Sequence, residues 1–132
     1  MSHRIIPLPV IADARGKLSF AQAGDQIPFV PRRVFYLYDL ASDAPRGGHA
    51  HRAQHQFLLM LAGRCRVTVD DGRSQQAVLL DNPAQGLYVP PMLWLDLDGF
   101  SPNAVCLVLT SDLYDESDYV RDMTQFRQLT AR

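Results

Sequence analysis

The chain predicts an all-β fold, a double-sheet jelly roll closed by one short C-terminal helix, and three observations lead there. Glycine and proline punctuate it about every 8–12 residues, and the pieces between are short and rich in Val, Leu, Tyr and Phe. One piece, RCRVTVDDG (64 to 72), alternates Cys65, Val67 and Val69 against Arg64, Arg66 and Thr68, the period of a half-buried strand. Only the tail departs from this pattern: YDESDYVRDMTQFRQLTAR (114 to 132) carries acids first and bases last. Its Tyr119, Met123 and Phe126 are spaced as on one face of a helix.

The strands follow in order. RRVFYLYDL (32 to 40) is the first clear one, and FLLMLAG (57 to 63) is apolar enough to be buried on both faces. After RCRVTVDDG, the Asp71-Gly72 pair is a tight-turn signal, so SQQAVLLD (74 to 81) returns as the partner strand of a hairpin. NPAQG (82 to 86) is a loop, LYVPP (87 to 91) a short strand ended by two prolines, WLDLDGF (94 to 100) a strand and turn, and AVCLVLTS (104 to 111) a central strand. No linker, repeat or low-complexity segment interrupts them, so residues 1–132 are expected to form a single domain.

Composition narrows the function. Thirteen basic and fourteen acidic residues give a formal charge of -1, which removes the electrostatic case for a nucleic-acid binder. Cys65 and Cys106 lie in apolar or alternating segments and read as buried small hydrophobes, not a disulfide framework. Prolines break the N-terminal stretch MSHRIIPLPVIADARG where a secretory signal needs an apolar run, and no segment is long enough to span a membrane. A cytoplasmic protein is expected.

Chemistry concentrates in RGGHAHRAQHQ (46 to 56). Three of the four histidines, His49, His51 and His55, fall within it, and the fourth, His3, sits at the terminus. On one continuous strand the three imidazoles share a face. An unperturbed imidazole titrates at about 6.5, so near neutrality it both takes and gives a proton. Three imidazoles also suit a zinc or iron ion, the competing reading of the same cluster.

A Gly-His-x-His entering a strand, an apolar run ending in Gly63 and a later Gly-x-x-x-Pro-Pro stretch form the two-motif layout of a cupin. The metal-binding version wants an acid after the second histidine and another histidine in the second motif. Here His55 or Gln56 occupies the first place, and Met92, Leu93, Trp94 and Leu95 follow Pro91. The longer set RRVFYLYD (32 to 39), RGGHAHRAQHQ, GRCRVTVDDG (63 to 72), GLYVPPMLW (86 to 94) and SDLYDESDYVRD (111 to 122) closely resembles the WxcM-like nucleotide-sugar 3,4-ketoisomerases. These are the metal-free, RmlC-like branch of the cupins.

That resemblance implies a cofactor-independent isomerase acting on a dTDP-linked 4-keto-6-deoxyhexose. It would move the carbonyl from C4 to C3 through an enediol, in deoxyamino-sugar and polysaccharide biosynthesis, as a homodimer. The segment around Ile5 to Val10 is the candidate for exchange between subunits. Within this reading His51 is the expected carbon base and acid, with His49 beside it polarising the sugar oxygens and His55 and Gln56 lining the pocket. The diphosphate calls for forked guanidinium donors. Arg46 directly precedes the histidines, while Arg15 and Arg33 are candidates by resemblance. Tyr36 and Trp94 offer aromatic faces to the base or sugar. Where the family commonly has a polar or basic residue and then an acid after the tryptophan, this chain has Leu95 and Asp96. The alternatives kept open are a 3- or 5-epimerase of the same substrate class and a non-catalytic dTDP-sugar-binding domain.

Overall fold

The computed structural model describes residues 2–41 and 43–131. In chain order the strands are β1 (Arg4–Pro7), β2 (Val10–Asp13), β3 (Gly16–Ser19), β4 (Arg33–Leu37), β5 (Arg46–His51) and β6 (Gln56–Ala62). They continue with β7 (Cys65–Asp70), β8 (Gln75–Leu80), β9 (Gln85–Val89), β10 (Trp94–Asp98), β11 (Val105–Thr110) and β12 (Tyr119–Val120). Helix α1 (Met123–Thr130) ends the order. One antiparallel sheet is ordered β1-β9-β6-β11-β4, the other β12-β5-β10-β7-β8, and β2 pairs with β3 as a separate hairpin. This is the jelly roll that the sequence predicts.

The alternation in β7 takes the expected form: Cys65, Val67 and Val69 are buried, and the strand pairs with β8 from Cys65 opposite Leu80 to Asp70 opposite Gln75. Residues of both sheets, among them Leu58, Met60, Val67, Leu95, Leu97 and Val108, form the central core. Strand β6 explains its unbroken apolar run by being covered on both faces. Leu58 and Met60 point into that core, while Phe57 and Leu59 join Leu8, Ile27 and Tyr88 in a second cluster. Both cysteines are free and fully buried in the central core, where loss of water pushes the Cys65 thiol up to about 11 and Cys106 to about 12.

A third apolar cluster sits on the far face of the β5/β10 sheet, where Ala50, Trp94, Val120 and Phe126 pack together. It corrects the expectation that Tyr119, Met123 and Phe126 share one face of a short helix. Tyr119 and Val120 pair with His51 and Ala50 as β12, and the helix begins only at Met123, where the Asp122 carboxylate accepts from the Thr124 N–H at 2.9 Å. Within the chain β1 pairs with β9, Ile5 opposite Leu87 and Pro7 opposite Gln85. No helix among the described residues is long and apolar enough to cross a membrane.

Candidate active site

A cavity of about 370 Å³ opens between the two sheets, within the size range of small-molecule sites. Its floor is apolar: Phe35 and Leu37 from β4, Leu58 from β6, Val108 from β11, and Leu95 and Leu97 from β10. The polar groups converge on it from two places. Arg46 and His49 come from β5 with Gln56 from the start of β6, and Tyr119 and Arg121 come from the tail.

The glycine pair before the histidines has a steric reason. Gly47 has φ +84°, and a Cβ there would stand 2.6 Å from the Leu95 carbonyl oxygen, closer than any side chain tolerates. The register between β5 and β10 slips at this point, with Leu95 opposite His49 and Asp96 opposite Gly47. The resulting bulge re-aims the strand at its entry to the cavity.

His49 sits on the cavity wall, and burial, then repulsion from His51 and Arg121, pushes its imidazole down to about 4. It is therefore a neutral ring at neutral pH, the Gly47 backbone opposing that shift only weakly through a hydrogen bond. His51 is 5% exposed and does not line the cavity. Its Nδ1 lies 3.0 Å from Asp118 Oδ2, and its Nε2 lies 3.3 Å from the Gln54 side-chain nitrogen. Burial lowers the His51 imidazole as well, against the opposing pull of the Asp118 carboxylate. The two imidazoles meet edge-on with ring centroids 5.0 Å apart, and the Tyr119 ring lies 4.9 Å from His49 and 4.3 Å from His51.

Both depressed histidines give acid sensitivity a definite sign. The unfolded chain takes up protons near 6.5, whereas folded His49 resists until about 4, so stability is full above pH 6.5 and is lost as the pH falls toward 4. Urea unfolding at pH 7 and pH 5 is expected to show a loss of order 1 kcal/mol, allowing for screening at a half-buried site. His49→Asn should flatten that dependence.

The other expected site residues divide. Arg46 and Gln56 line the cavity. Arg33 holds its guanidinium 5.0 Å from the Phe35 ring and 5.5 Å from the Tyr114 ring, with a buried Nε that has no partner. His55 does not share a face with His49 and His51. Strand β5 ends at His51, so the turn at 52–55 resets the alternation, and the His55 Nδ1 meets the Tyr88 hydroxyl at 2.7 Å beside Phe29 in the second apolar cluster. The three-imidazole donor set left open for a metal is therefore not assembled, and no group of three or more His, Cys, Asp or Glu side chains among the described residues could hold a metal ion.

Tyr36 is 59% exposed on the outer face of β4, its ring tilted against that of Tyr38, because Phe35 and Leu37 take the inward positions. Trp94 lies on the opposite face of β10 from Leu95 and packs on Phe126 at 5.6 Å, so it belongs to the tail's apolar seat and not to the cavity rim. Asp96 shares that outer parity. Arg15 stands in the turn of the β2–β3 hairpin, ion-paired with Asp13 at 2.6 Å and outside the cavity lining of its own chain. The residues that sequence reasoning missed are Phe35, Gln54, Asp118, Tyr119 and Arg121. The last three lie in the SDLYDESDYVRD segment, whose singular composition was the available signal.

Arg121 completes the wall: its guanidinium stacks 4.2 Å from the Tyr119 ring and binds both Glu116 oxygens, at 2.7 and 3.0 Å. A family model described as "FdtA: WxcM-like, C-terminal" matches residues 1–131. The chain belongs to this family. A TDP-4-oxo-6-deoxy-alpha-D-glucose-3,4-oxoisomerase of Aneurinibacillus thermoaerophilus is 42% identical over 132 residues, covering 100% of this chain and 95% of the relative. The crystal structure of a 3,4-ketoisomerase from Helicobacter canadensis superposes with a TM-score of 0.96 at 36% identity, over 100% of this chain and 99% of the other. QdtA, a sugar 3,4-ketoisomerase from Thermoanaerobacterium thermosaccharolyticum solved in complex with TDP, gives 0.95 at 32% identity, over 98% of this chain and 94% of that one. A 3'-monoepimerase from Streptomyces bikiniensis matches at 17% identity with a TM-score of 0.77, over 89% of this chain and 68% of its own, and shares the fold alone.

Proposed function

We propose that this protein is a cofactor-independent sugar-nucleotide 3,4-ketoisomerase that converts a TDP-linked 4-keto-6-deoxyhexose to its 3-keto isomer. The observation that carries the reading is the neutral imidazole of His49 on the wall of an otherwise largely apolar cavity, in a chain whose relatives are 3,4-ketoisomerases. In this reading His49 transfers the proton and His51 stands behind it, the opposite of the division expected from the sequence.

The chemistry follows from those positions. The 4-keto group acidifies the C3 hydrogen. Neutral His49 takes that proton, leaving an enolate whose charge rests on the C4 oxygen, and transfer of the C3 hydroxyl proton to that oxygen then moves the charge to the C3 oxygen. An imidazolium on a group with so low a pKa is a strong acid, so it readily returns a proton, now to C4. The C3 hydroxyl proton is lost, the C4 oxygen gains one, and the carbonyl has moved without net oxidation. Arg46 and Arg121 supply positive charge at the lining, where a low-dielectric floor strengthens their effect on the enediolate.

The two phosphates are assigned to Arg46 at the cavity lining and Arg33, whose free buried Nε is an unused donor. Replacing either by alanine is expected to weaken TDP binding about 10–100-fold in calorimetry. We propose a homodimer, supported by apolar surface on and just after the hairpin (Val10, Ile11, Leu18, Phe20) and on and just after β4 (Val34, Tyr36, Tyr38) that a second copy would cover. Sedimentation at micromolar concentration should then give twice the chain mass, and a monomer would count against it.

Incubation with TDP-4-keto-6-deoxyglucose, followed by NMR of the product, tests the reaction. A carbonyl carbon at C3 with C5 unchanged supports isomerisation. Inversion at C3 or C5 with the carbonyl still at C4 would make the protein an epimerase, and tight binding with no product would make it a binding domain.

A further inference from the structure

We propose that Asp118 and Gln54 are positioning residues for this isomerisation: between them they hold His51 as a neutral ring protonated on Nδ1, and His51 fixes the imidazole of His49 at the cavity wall. The inference rests on His49 as proton carrier and deepens that reading.

Both nitrogens of His51 are committed. Asp118 Oδ2, 3.0 Å from Nδ1, is a carboxylate oxygen and only accepts, so Nδ1 carries the hydrogen. The Gln54 amide nitrogen, 3.3 Å from Nε2, only donates, so Nε2 presents its lone pair. One protonation state satisfies both partners, the Nδ1–H tautomer. An imidazolium would drive a second N–H against the Gln54 amide hydrogens, and with His51 5% and Gln54 3% exposed, water cannot relieve the conflict. Arg33 and Arg121 add positive charge that disfavours the imidazolium, and His49 faces the ring edge-on at 5.0 Å. His51 therefore has neither a proton nor a lone pair to offer a sugar and acts through its neighbour.

Asp118 also builds this arrangement. Its carbonyl oxygen accepts from the Arg52 N–H at 2.9 Å, its Oδ1 from the Ala53 N–H at 2.8 Å and its Oδ2 from the Gln54 N–H at 3.3 Å. One tail residue thus takes three successive donors of the turn between β5 and β6. The same contact that orients His51 through Nδ1 places Gln54 at its Nε2, the outer-shell logic by which a carboxylate fixes the tautomer of a working imidazole.

The ¹⁵N shifts and couplings of His51 at pH 7 test this directly. Wild type is expected to show a protonated Nδ1 and a bare Nε2. Asp118→Asn keeps the side-chain shape but brings an amide donor. It is expected to remove the single Nδ1–H signature, since both ring nitrogens then face amide donors, and to lower kcat about 100-fold, with KM within about twofold. Gln54→Glu sets an acceptor against Nε2 and is expected to give a doubly protonated ring and a comparable loss of kcat. A wild-type ring protonated on Nε2 overturns the proposal. So do variants that change the tautomer yet turn over within twofold of wild type, or a Gln54→Glu enzyme whose His51 shifts are unchanged. If Asp118→Asn does not fold, the wild-type and Gln54→Glu spectra decide. The tautomer is read without substrate, so a failure of the His49 assignment, seen as an active His49→Asn, is recognised separately.

Discussion

Replacing His49 by asparagine is expected to lower isomerisation about 10²–10⁴-fold, the contribution of a positioned general acid–base, while leaving the affinity for TDP close to wild type. The ring is the imidazole that β5 presents to the cavity beside Arg46, and the floor opposite it is built from Phe35, Leu37, Leu58, Leu95, Leu97 and Val108, none of which can move a proton. Asparagine preserves a polar side chain without the basic nitrogen, so the loss should appear in kcat. Product formation by NMR and calorimetry with TDP separate the two effects. A variant that isomerises at wild-type rate would remove His49 from the chemistry, and one that no longer binds TDP would mean that the substitution had damaged the cavity.

Phe126→Ala is expected to cost about 3–5 kcal/mol of stability, the usual loss for truncating a fully buried aromatic. Phe126 is 0% exposed and joins Ala50, Trp94 and Val120 in the cluster that seats the tail on the β5/β10 sheet. An eight-residue helix has little stability of its own, so its docking depends on this face. The consequence reaches the site, because the segment anchored by Phe126 carries Asp118 against His51 and brings Tyr119 and Arg121 to the cavity. Urea unfolding should show the lower midpoint, and turnover should fall even where the variant remains folded. Full activity with a loosened helix, seen by hydrogen exchange, would mean that β12 holds the site without α1.

Much of the fold is legible because its signals are local. The alternation of β7 has a polar and an apolar partner at every step, and the Asp71-Gly72 turn fixes where β8 begins. The site is less legible because its errors are ones of parity. In VFYLY (34 to 38) both sets of alternate residues are apolar or aromatic, so nothing in that stretch breaks the tie between Phe35 and Tyr36. An unbroken strand would keep His55 on the face of His49 and His51, but the turn after His51 carries the chain across to the other sheet, where His55 lies beside Tyr88 of β9. Trp94 alternates with Leu95, and only the docked tail, a long-range contact, makes its side of β10 an interior one. The tail's spacing satisfies a helix equally well, yet Tyr119 is claimed by pairing with His51 across β5. The carboxylate that orients His51 lies 67 positions away in sequence, a separation at which pattern carries no information.

The assignment of proton carrier and positioning partner is tested most directly by solvent exchange at the sugar. His49→Asn and His51→Asn are each incubated with TDP-4-keto-6-deoxyglucose in deuterated water, and deuterium at C3 and C4 is followed by NMR. Slowed but measurable incorporation by His51→Asn, with none by His49→Asn, is the expected result. Incorporation that persists in His49→Asn and vanishes in His51→Asn would contradict it, returning the chemistry to the ring buried against Asp118.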